Sequence, residues 1–202
     1  ITTQPSGQTI IAGNSASFSV SATGTWPLAY QWKKNGVNLD GELIAGATTS
    51  TLELQNISAA DAGSYSVVVT NEAGSVESDV AVLAVHHTLA TRVVGSGTIT
   101  VSPHRASYPS GSHVKVTAVP QIGHGLTHWS GDATGRQNPI TVVLAGNKTI
   151  TANFAEIPKV TKAPESRTVI AGESVSFEVQ ASSAGPLTYE WKFRGAAIAG
   201  AT

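Results

Sequence analysis

The stretch Tyr30-Gln31-Trp32-Lys33-Lys34-Asn35-Gly36 decides the fold, because a second copy follows near the other end as Tyr189-Glu190-Trp191-Lys192-Phe193-Arg194-Gly195. In both copies aromatic residues alternate with polar ones and the run stops at a glycine. This pattern is typical of a half-buried strand that ends in a turn. Each tryptophan is therefore a predicted core residue, and the chain is predicted to contain the same kind of β domain twice.

The composition of the 202-residue chain favours several small β domains. It is 41% hydrophobic, only 12% charged, and contains 20 glycines, which suits short strands joined by turns. A net charge of −1 argues against the basic surface that attracts nucleic acid, so no nucleic-acid partner is expected. No stretch approaches the roughly 20 apolar residues of a membrane span, and none resembles a signal peptide. The chain has no Cys, which excludes disulfides and thiolate ligands.

Residues 1–84 are predicted to form short strands, and their motifs resemble an immunoglobulin-like domain of the I-set kind without its cystine. The matching motifs are Phe18-Ser-Val20, Trp32, Leu52-Glu-Leu54 and Asp61-Ala-Gly63-Ser-Tyr65-Ser-Val67, in the places of strands B, C, E and F. The family packs an inter-sheet cystine on the strand C Trp and has a tyrosine corner two residues before the second Cys. The resemblance thus implies Val20 and Val67 at the cystine positions. It implies that the Tyr65 hydroxyl bonds nearby backbone. The last predicted strand of this region is Val76–Leu83.

Residues 85–156 have a different pattern of strands. Ala84–Thr88 is predicted to be a linker or a shared strand, Val93–Val101 a hairpin with a Gly-Ser-Gly turn, and Trp129–Asp132 a further turn. The order of motifs resembles the divergent internalin-type B-repeat, with Trp129 in its core. Those motifs are Gly97–Pro103, Tyr108–Gly111, Val114–Pro120, Trp129–Asp132 and Gly146–Phe154. The resemblance implies a spacer or adhesive stalk of bacterial surface and secreted proteins.

Residues 157–202 repeat the start of the first domain. Pro164 to Trp191 matches Pro5 to Trp32 at a constant offset of 159. The segment is predicted to be the N-terminal half, strands A to C, of a second immunoglobulin-like domain. Its predicted core residues Val179 and Trp191 would lack an opposing sheet, so we expect another chain, a neighbouring copy or further residues to cover them.

No catalytic, cofactor or metal site is expected. All six histidines lie between His86 and His128, but no HExxH motif accompanies them. His124 and His128 would be roughly 13 Å apart on a strand. No Ser lies in a Gly-x-Ser-x-Gly elbow. Asp132 follows Gly131 and Asp61 lies two residues before Gly63, as turn-capping residues do. The glycosylation sequons at Asn56 and Asn147 are short matches.

Trp26 is the candidate contact residue, because the second copy has Gly185 in its place and the fold therefore does not require it. It precedes Pro27 in the predicted B–C loop, where it could stack on a sugar ring or anchor a protein contact. The alternative is that it packs on its own loop or on the neighbouring module.

Taken together, the patterns predict an all-β, non-catalytic modular segment of a bacterial cell-surface or secreted protein. It would act outside the cell as a spacer or adhesive stalk and as a protein-interaction module. Expected partners are other protein domains, neighbouring copies or a glycan. Residues 1–85 carry two Lys and seven acidic residues, a balance of −5, and residues 86–156 five basic and two acidic, a balance of +3, which could favour head-to-tail contacts between copies. Two alternatives remain open: a carbohydrate-binding accessory region of a large secreted hydrolase, or an assembly subunit whose half domain is completed by another chain.

Overall fold

The computed structural model describes residues 1–200, and within them the predicted all-β fold class is confirmed. One short 3₁₀ turn occurs at Ala59–Asp61. The strands are β1 (Gln8–Ile11), β2 (Ala16–Ser19), β3 (Ala29–Lys34), β4 (Val37–Asn38), β5 (Thr51–Leu54), β6 (Gly63–Asn71), β7 (Gly74–Glu77), β8 (Ala81–His87), β9 (Leu89–Val94), β10 (Gly97–Ser102), β11 (Tyr108–Pro109), β12 (Ser112–Pro120), β13 (His124–Gly131), β14 (Ile140–Leu144), β15 (Lys148–Glu156), β16 (Lys159–Lys162), β17 (Gln180–Ser182), β18 (Lys192–Phe193) and β19 (Ala196–Ala197).

The chain divides into two compact units. The first contains Ile1–Thr91, Val101–Thr117 and Pro139–Ile150, and the second contains the remaining described residues. The first unit includes an immunoglobulin-like sandwich. Its larger sheet has the order β1-β8-β6-β3-β4, with β7 beside β6, and its smaller sheet pairs β2 with β5. Strand β1 runs parallel to β8, and the other pairs of the sandwich are antiparallel.

The core of the sandwich is aromatic at its centre. The Phe18 ring stacks on Tyr65 with centroids 5.0 Å apart and lies tilted against Trp32 at 6.2 Å. Trp32 pairs with Val67 across β3 and β6, and both are 0% exposed. The alternation is clear in β2 and β8, where Phe18, Leu83 and Val85 are buried and their neighbours along the strand are more exposed. Burial of each such side chain contributes about 1.5–3 kcal/mol.

The predicted strand Val76–Leu83 is wrong in its continuity, because the chain forms β7 and β8 with a break between them. Ser78 lies in the break and is buried. Its backbone N–H donates to the carbonyl of Val67 at 2.9 Å, and its hydroxyl accepts the Val67 N–H at 3.0 Å. Ser78 thus satisfies both backbone groups of Val67, using its own N–H and its side-chain hydroxyl. Strand β8 also runs four residues beyond the predicted end, to His87.

In the middle region the strands form two three-stranded sheets, in the orders β10-β12-β14 and β13-β15-β9. The predicted Val93–Val101 hairpin is therefore wrong, since β9 and β10 belong to different sheets. The Gly-Ser-Gly turn does exist, with Gly95 at φ +82°. Turn residues mark where a strand ends but do not determine which strand pairs with which.

Trp129 lies inside β13, so the predicted turn at Trp129–Asp132 begins too early. The side chain is 1% exposed, its indole N–H donates to the carbonyl of Gln137 at 2.8 Å, and its backbone N–H donates to Gly135 at 2.8 Å. A Gly131 residue with φ +86° ends the strand. The Ser-Gly-Asp sequence after Trp129 thus begins its turn only at the glycine.

The last segment, from residue 157, has little regular structure. Between residues 157 and 200, only two short antiparallel pairs form, β16 with β17 and β18 with β19. The side chains equivalent to the sandwich core are open: Phe177 is 50% exposed, where its counterpart Phe18 is 1% exposed. Val179 and Trp191 are half-buried, so their place in a closed core stays a prediction.

Candidate interaction surfaces

Trp26 is displayed on a loop that is itself anchored. Its side chain is 80% exposed, so the described residues give no support to the alternative that it packs on a neighbour. The preceding carbonyl, of Thr25, accepts a hydrogen bond from Asn71 Nδ2 at 3.2 Å, and Asn71 Oδ1 accepts the Ala73 N–H at 3.0 Å. The β2–β3 loop is thereby tied to the β6–β7 turn, which holds the base of the Trp26 loop in place.

A groove of about 300 Å³ opens at the same β6–β7 turn as this anchor. Apolar and polar side chains both line it, among them Ile1, Thr23, Leu28, Asn71 and Val76. An exposed aromatic ring on the anchored loop is an arrangement that suits a stacked sugar ring or a protein side chain. Sequence reasoning selected Trp26 and missed Asn71. The signal for Asn71 was its position at the end of a strand before Glu-Ala-Gly, a typical turn position.

The core of the sandwich contains the residues that the resemblance assigned to the cystine positions and to the tyrosine corner. Val20 and Val67 lie in one buried cluster with Trp32 and Tyr65. The Tyr65 hydroxyl donates to the carbonyl of Asp61 at 2.7 Å, as in a tyrosine corner. Burial, with a smaller contribution from the nearby Asp61 carboxylate, raises the pKa of Tyr65 to about 12. The phenol therefore stays neutral and keeps donating throughout the physiological range.

Asp61 also acts locally as a cap. Its Oδ2 accepts the backbone N–H and the hydroxyl of Ser58, both at 2.8 Å, which closes the short 3₁₀ turn.

One ion pair lies on the β3–β6–β7 face of the sandwich. The Ser66 hydroxyl donates to Glu77 Oε1 at 2.8 Å, and Lys33 Nζ lies 3.3 Å from Glu77 Oε2. The Ser66 hydrogen bond, followed by the Lys33 contact, lowers the pKa of the Glu77 carboxyl. Cross-strand pairs of opposite charge like this one stabilise the pairing of neighbouring strands.

The last segment presents an apolar hollow of about 420 Å³. Its lining includes Val160, Val179, Ala181, Leu187 and Trp191. In the first copy the side chains equivalent to Val179 and Trp191, namely Val20 and Trp32, lie against the strands β5 and β6. The hollow therefore has the composition of half a sandwich core.

The histidines do not converge on a metal site. Within residues 1–200, no group of three His, Asp or Glu side chains is placed to hold a metal ion. His86 and His87 instead meet two serines: His86 Nδ1 lies 3.1 Å from Ser107 Oγ, and His87 Nε2 lies 3.2 Å from Ser110 Oγ.

The side chain of the Asn147 sequon is engaged at both ends. Its Oδ1 accepts the Thr88 N–H at 2.9 Å and its Nδ2 donates to the carbonyl of Ala12 at 3.0 Å. A glycan on Nδ2 would displace the second bond. Sequence reasoning missed this role, whose only signal was an Asn in the turn between two strands.

Two family models match the chain. The immunoglobulin I-set domain matches residues 1–84, and the divergent InlB B-repeat domain matches residues 87–158. No curated protein is significantly similar in sequence. No helix in the described part of the chain has the length and apolar character needed to cross a bilayer.

Solved structures of immunoglobulin domains resemble the chain. Titin M4 is 30% identical, with 41% of this chain and 88% of that one covered and a TM-score of 0.37. Sidekick-1 immunoglobulin domains 1–5 are 18% identical over 98% of this chain and 49% of that one, with a TM-score of 0.39. Drosophila OTK extracellular domains 3–5 are 13% identical over 98% and 80%, with a TM-score of 0.37.

The two family models cover the two parts of the chain whose motifs carried the resemblance. Domains of both kinds are typical of modular, extracellular interaction proteins. The chain contains an immunoglobulin I-set domain followed by a divergent InlB B-repeat domain.

Proposed function

We propose that the chain is a non-catalytic modular segment of a bacterial cell-surface or secreted protein. It serves as a spacer or adhesive stalk and presents the Trp26 loop to a partner. Its modules are residues 1–84, 85–156 and 157–202, the last being the first half of a second immunoglobulin-like domain. The two matched domain types support the modular role, and the exposed Trp26 supports the interaction role.

The exposure of Trp26 is the observation that carries the proposal. A large aromatic ring left 80% exposed contributes little to folding, because folding stabilises only the apolar area that it removes from water. Tryptophan is also among the residues that dominate binding energy when a partner covers them. The anchored loop keeps the ring displayed, which limits the entropy that binding must overcome.

The test is binding of the full chain to two probes, a glycan array and an array of secreted and cell-surface proteins. Trp26→Ala is compared with Leu43→Ala, which removes an apolar side chain that is 83% exposed in the same domain. The proposal expects binding to the protein array that falls in Trp26→Ala and persists in Leu43→Ala. Equal binding by all three chains, or no binding to either array, contradicts the interaction role.

Trp26-dependent binding to glycans alone would instead favour the alternative of a carbohydrate-binding accessory region of a secreted hydrolase. A flat, exposed indole ring is the feature that favours this candidate, because sugar rings stack on such faces.

A second candidate function is an assembly subunit whose half domain another chain completes. The apolar hollow around Val179 and Trp191 favours it, because the first copy covers the equivalent residues with β5 and β6. The occupant would be a strand pair of immunoglobulin type supplied by a second polypeptide. Mass measurement of the soluble full chain tests this candidate, which expects a complex; a monomer at micromolar concentration contradicts it.

A further inference from the structure

Strand β8 continues past the sandwich and enters the next module directly. Its first residues pair with β6, and its last two residues, His86 and His87, pair with β11. On the other edge, β1 follows β8 as far as His86. The N–H of Ser110 also donates to the carbonyl of Val85 at 3.2 Å. The strand therefore passes from one module to the other without an unpaired stretch.

The side chains at this joint are buried. His87 is 1% exposed and Tyr108, which lies opposite it in β11, is 3% exposed. Residues directly opposite each other in an antiparallel pair lie on the same face of the sheet. The Tyr108 hydroxyl donates to the carbonyl of Pro103 at 2.8 Å and accepts the Arg105 N–H at 3.2 Å. Bending at the joint would expose this packed pair.

Thr88 is the single residue between β8 and β9, so it is the place where a hinge would lie. Both of its backbone groups are bonded. Its N–H donates to Asn147 Oδ1 at 2.9 Å, and its carbonyl accepts the Lys148 N–H at 2.9 Å. Asn147 in the β14–β15 turn and Lys148 at the start of β15 thus bond the N–H and the carbonyl of the connecting residue.

The same side chain also reaches the first domain. Asn147 Nδ2 donates to the carbonyl of Ala12 at 3.0 Å, and the Ala12 N–H donates to the carbonyl of His86 at 2.9 Å. Asn147 therefore links the end of β1, the connecting residue and the β14–β15 turn. We call this set, Ala12, Thr88, Asn147 and Lys148, the Asn147 clasp.

We propose that the Asn147 clasp is a built-in lock that removes the hinge between the I-set domain and the B-repeat domain. With both backbone groups of Thr88 held, rotation about its φ and ψ breaks at least two hydrogen bonds. The strands of the middle region that lie in the first unit, β11 and β14, then keep one fixed orientation to the sandwich across the joint. This inference is independent of the proposed function, since the lock exists whether the chain is a spacer, a sugar-binding module or an assembly subunit.

The test compares Asn147→Ala with a matched control, Asn138→Ala. Asn138 makes the same kind of double contact, to the N–H and carbonyl of Ala118 at 2.9 and 2.8 Å, but away from the joint. The natural chain has no Cys, so spin labels can be placed at Val37→Cys and Val143→Cys, both exposed positions of the first unit. Pulsed electron spin resonance measures the distance distribution, and hydrogen exchange measures the amides of Thr88 and Lys148.

The unsubstituted clasp should give one narrow distance distribution, and Asn138→Ala should keep it. Asn147→Ala should broaden it and speed exchange of the Lys148 amide roughly tenfold. The Lys148 amide is the more direct reporter, because it donates to the Thr88 carbonyl across the joint. Asn147→Asp keeps the acceptor for Thr88 but sets a carboxylate oxygen against the Ala12 carbonyl in place of the donor, so it should also broaden the distribution, and it serves if the Ala variant misfolds. A distribution already broad with Asn147 present, or one unchanged in both Asn147 variants with Lys148 exchange unchanged, overturns the proposal.

Discussion

Replacing Tyr65 with Phe removes one oxygen from the centre of the I-set domain and little else. The Tyr65 side chain is 1% exposed, and its hydroxyl donates to the carbonyl of Asp61 at 2.7 Å. A net hydrogen bond contributes about 1 kcal/mol, and a carbonyl left without its partner adds to that loss. Tyr65→Phe should therefore lower the free energy of unfolding by about 1–2 kcal/mol at pH 7.

The same residue predicts an alkaline transition. The pKa of Tyr65 is raised to about 12 in the folded chain, mainly by burial, from the ordinary value of 10.0. Between these values the folded chain binds more protons than the unfolded chain, so stability falls as the pH rises. The contribution is fully present below pH 10 and is lost towards pH 12, a difference of at most about 2–3 kcal/mol. Tyr65→Phe has no proton to lose and should lack this part of the pH dependence.

Urea unfolding followed by tryptophan fluorescence at pH 7 and at steps between pH 9 and 11.5 measures both effects. Tyr30→Phe is the matched control, because Tyr30 is half-buried on the same sheet and its hydroxyl has no hydrogen-bond partner in residues 1–200. The curves of unsubstituted chain and Tyr65→Phe should differ by about 1–2 kcal/mol at pH 7 and converge as pH rises. Parallel curves over the whole range would refute the reasoning, as would a Tyr30→Phe curve that matches Tyr65→Phe.

Three further predictions concern the same domain. Gly46→Ala should lower the free energy of unfolding by more than about 3 kcal/mol and leave the I-set domain largely unfolded by circular dichroism. Gly46 has φ +80°, and an added Cβ would collide with the Thr51 carbonyl. The control is Gly13→Ala, which has φ +94° but open space around the added Cβ, and it should lower the free energy of unfolding by only about 1–2 kcal/mol. The double variant Val20→Cys and Val67→Cys should form a disulfide detectable by mass. The disulfide should raise the free energy of unfolding by about 2–4 kcal/mol, and reduction should remove this gain. A persistent pair of free thiols under oxidising conditions would count against the placement of these residues. Glu77→Gln should remove a stabilising effect that exists above the ordinary Glu pKa and disappears as the pH falls through the lowered folded value; urea midpoints from pH 6 to 3 should therefore fall less steeply in the variant.

Much of the first domain could be predicted from the sequence, since its signals are local. Phe18, Trp32, Tyr65 and Val67 follow a period-2 pattern, and the spacing of Tyr65 and Val67 is distinctive of one fold. Comparison of the two copies also distinguished core residues from exposed ones. Trp32 has an aromatic counterpart and is buried, while Trp26 has Gly185 in its place and is exposed.

The features that sequence reasoning missed depend on contacts between distant residues. The pairing of β9 and β10 with different sheets is not encoded in either strand alone. The Asn147 clasp joins residues 135 positions apart, and an Asn in a turn looks the same whether or not its side chain reaches another module. The break at Ser78 has the same origin, because it depends on the backbone of Val67 in a neighbouring strand.

The most direct test of the central claim is the affinity of the unsubstituted chain and of Trp26→Ala for the partner that the arrays identify. If Trp26 is a displayed contact residue, the substitution should weaken binding at least about 30-fold, the effect of a hot-spot residue of about 2 kcal/mol. The free energy of unfolding of Trp26→Ala should stay within about 0.5 kcal/mol of that of the unsubstituted chain, because the side chain is 80% exposed. Unchanged affinity with an unchanged midpoint would contradict the claim that the chain presents this loop to a partner.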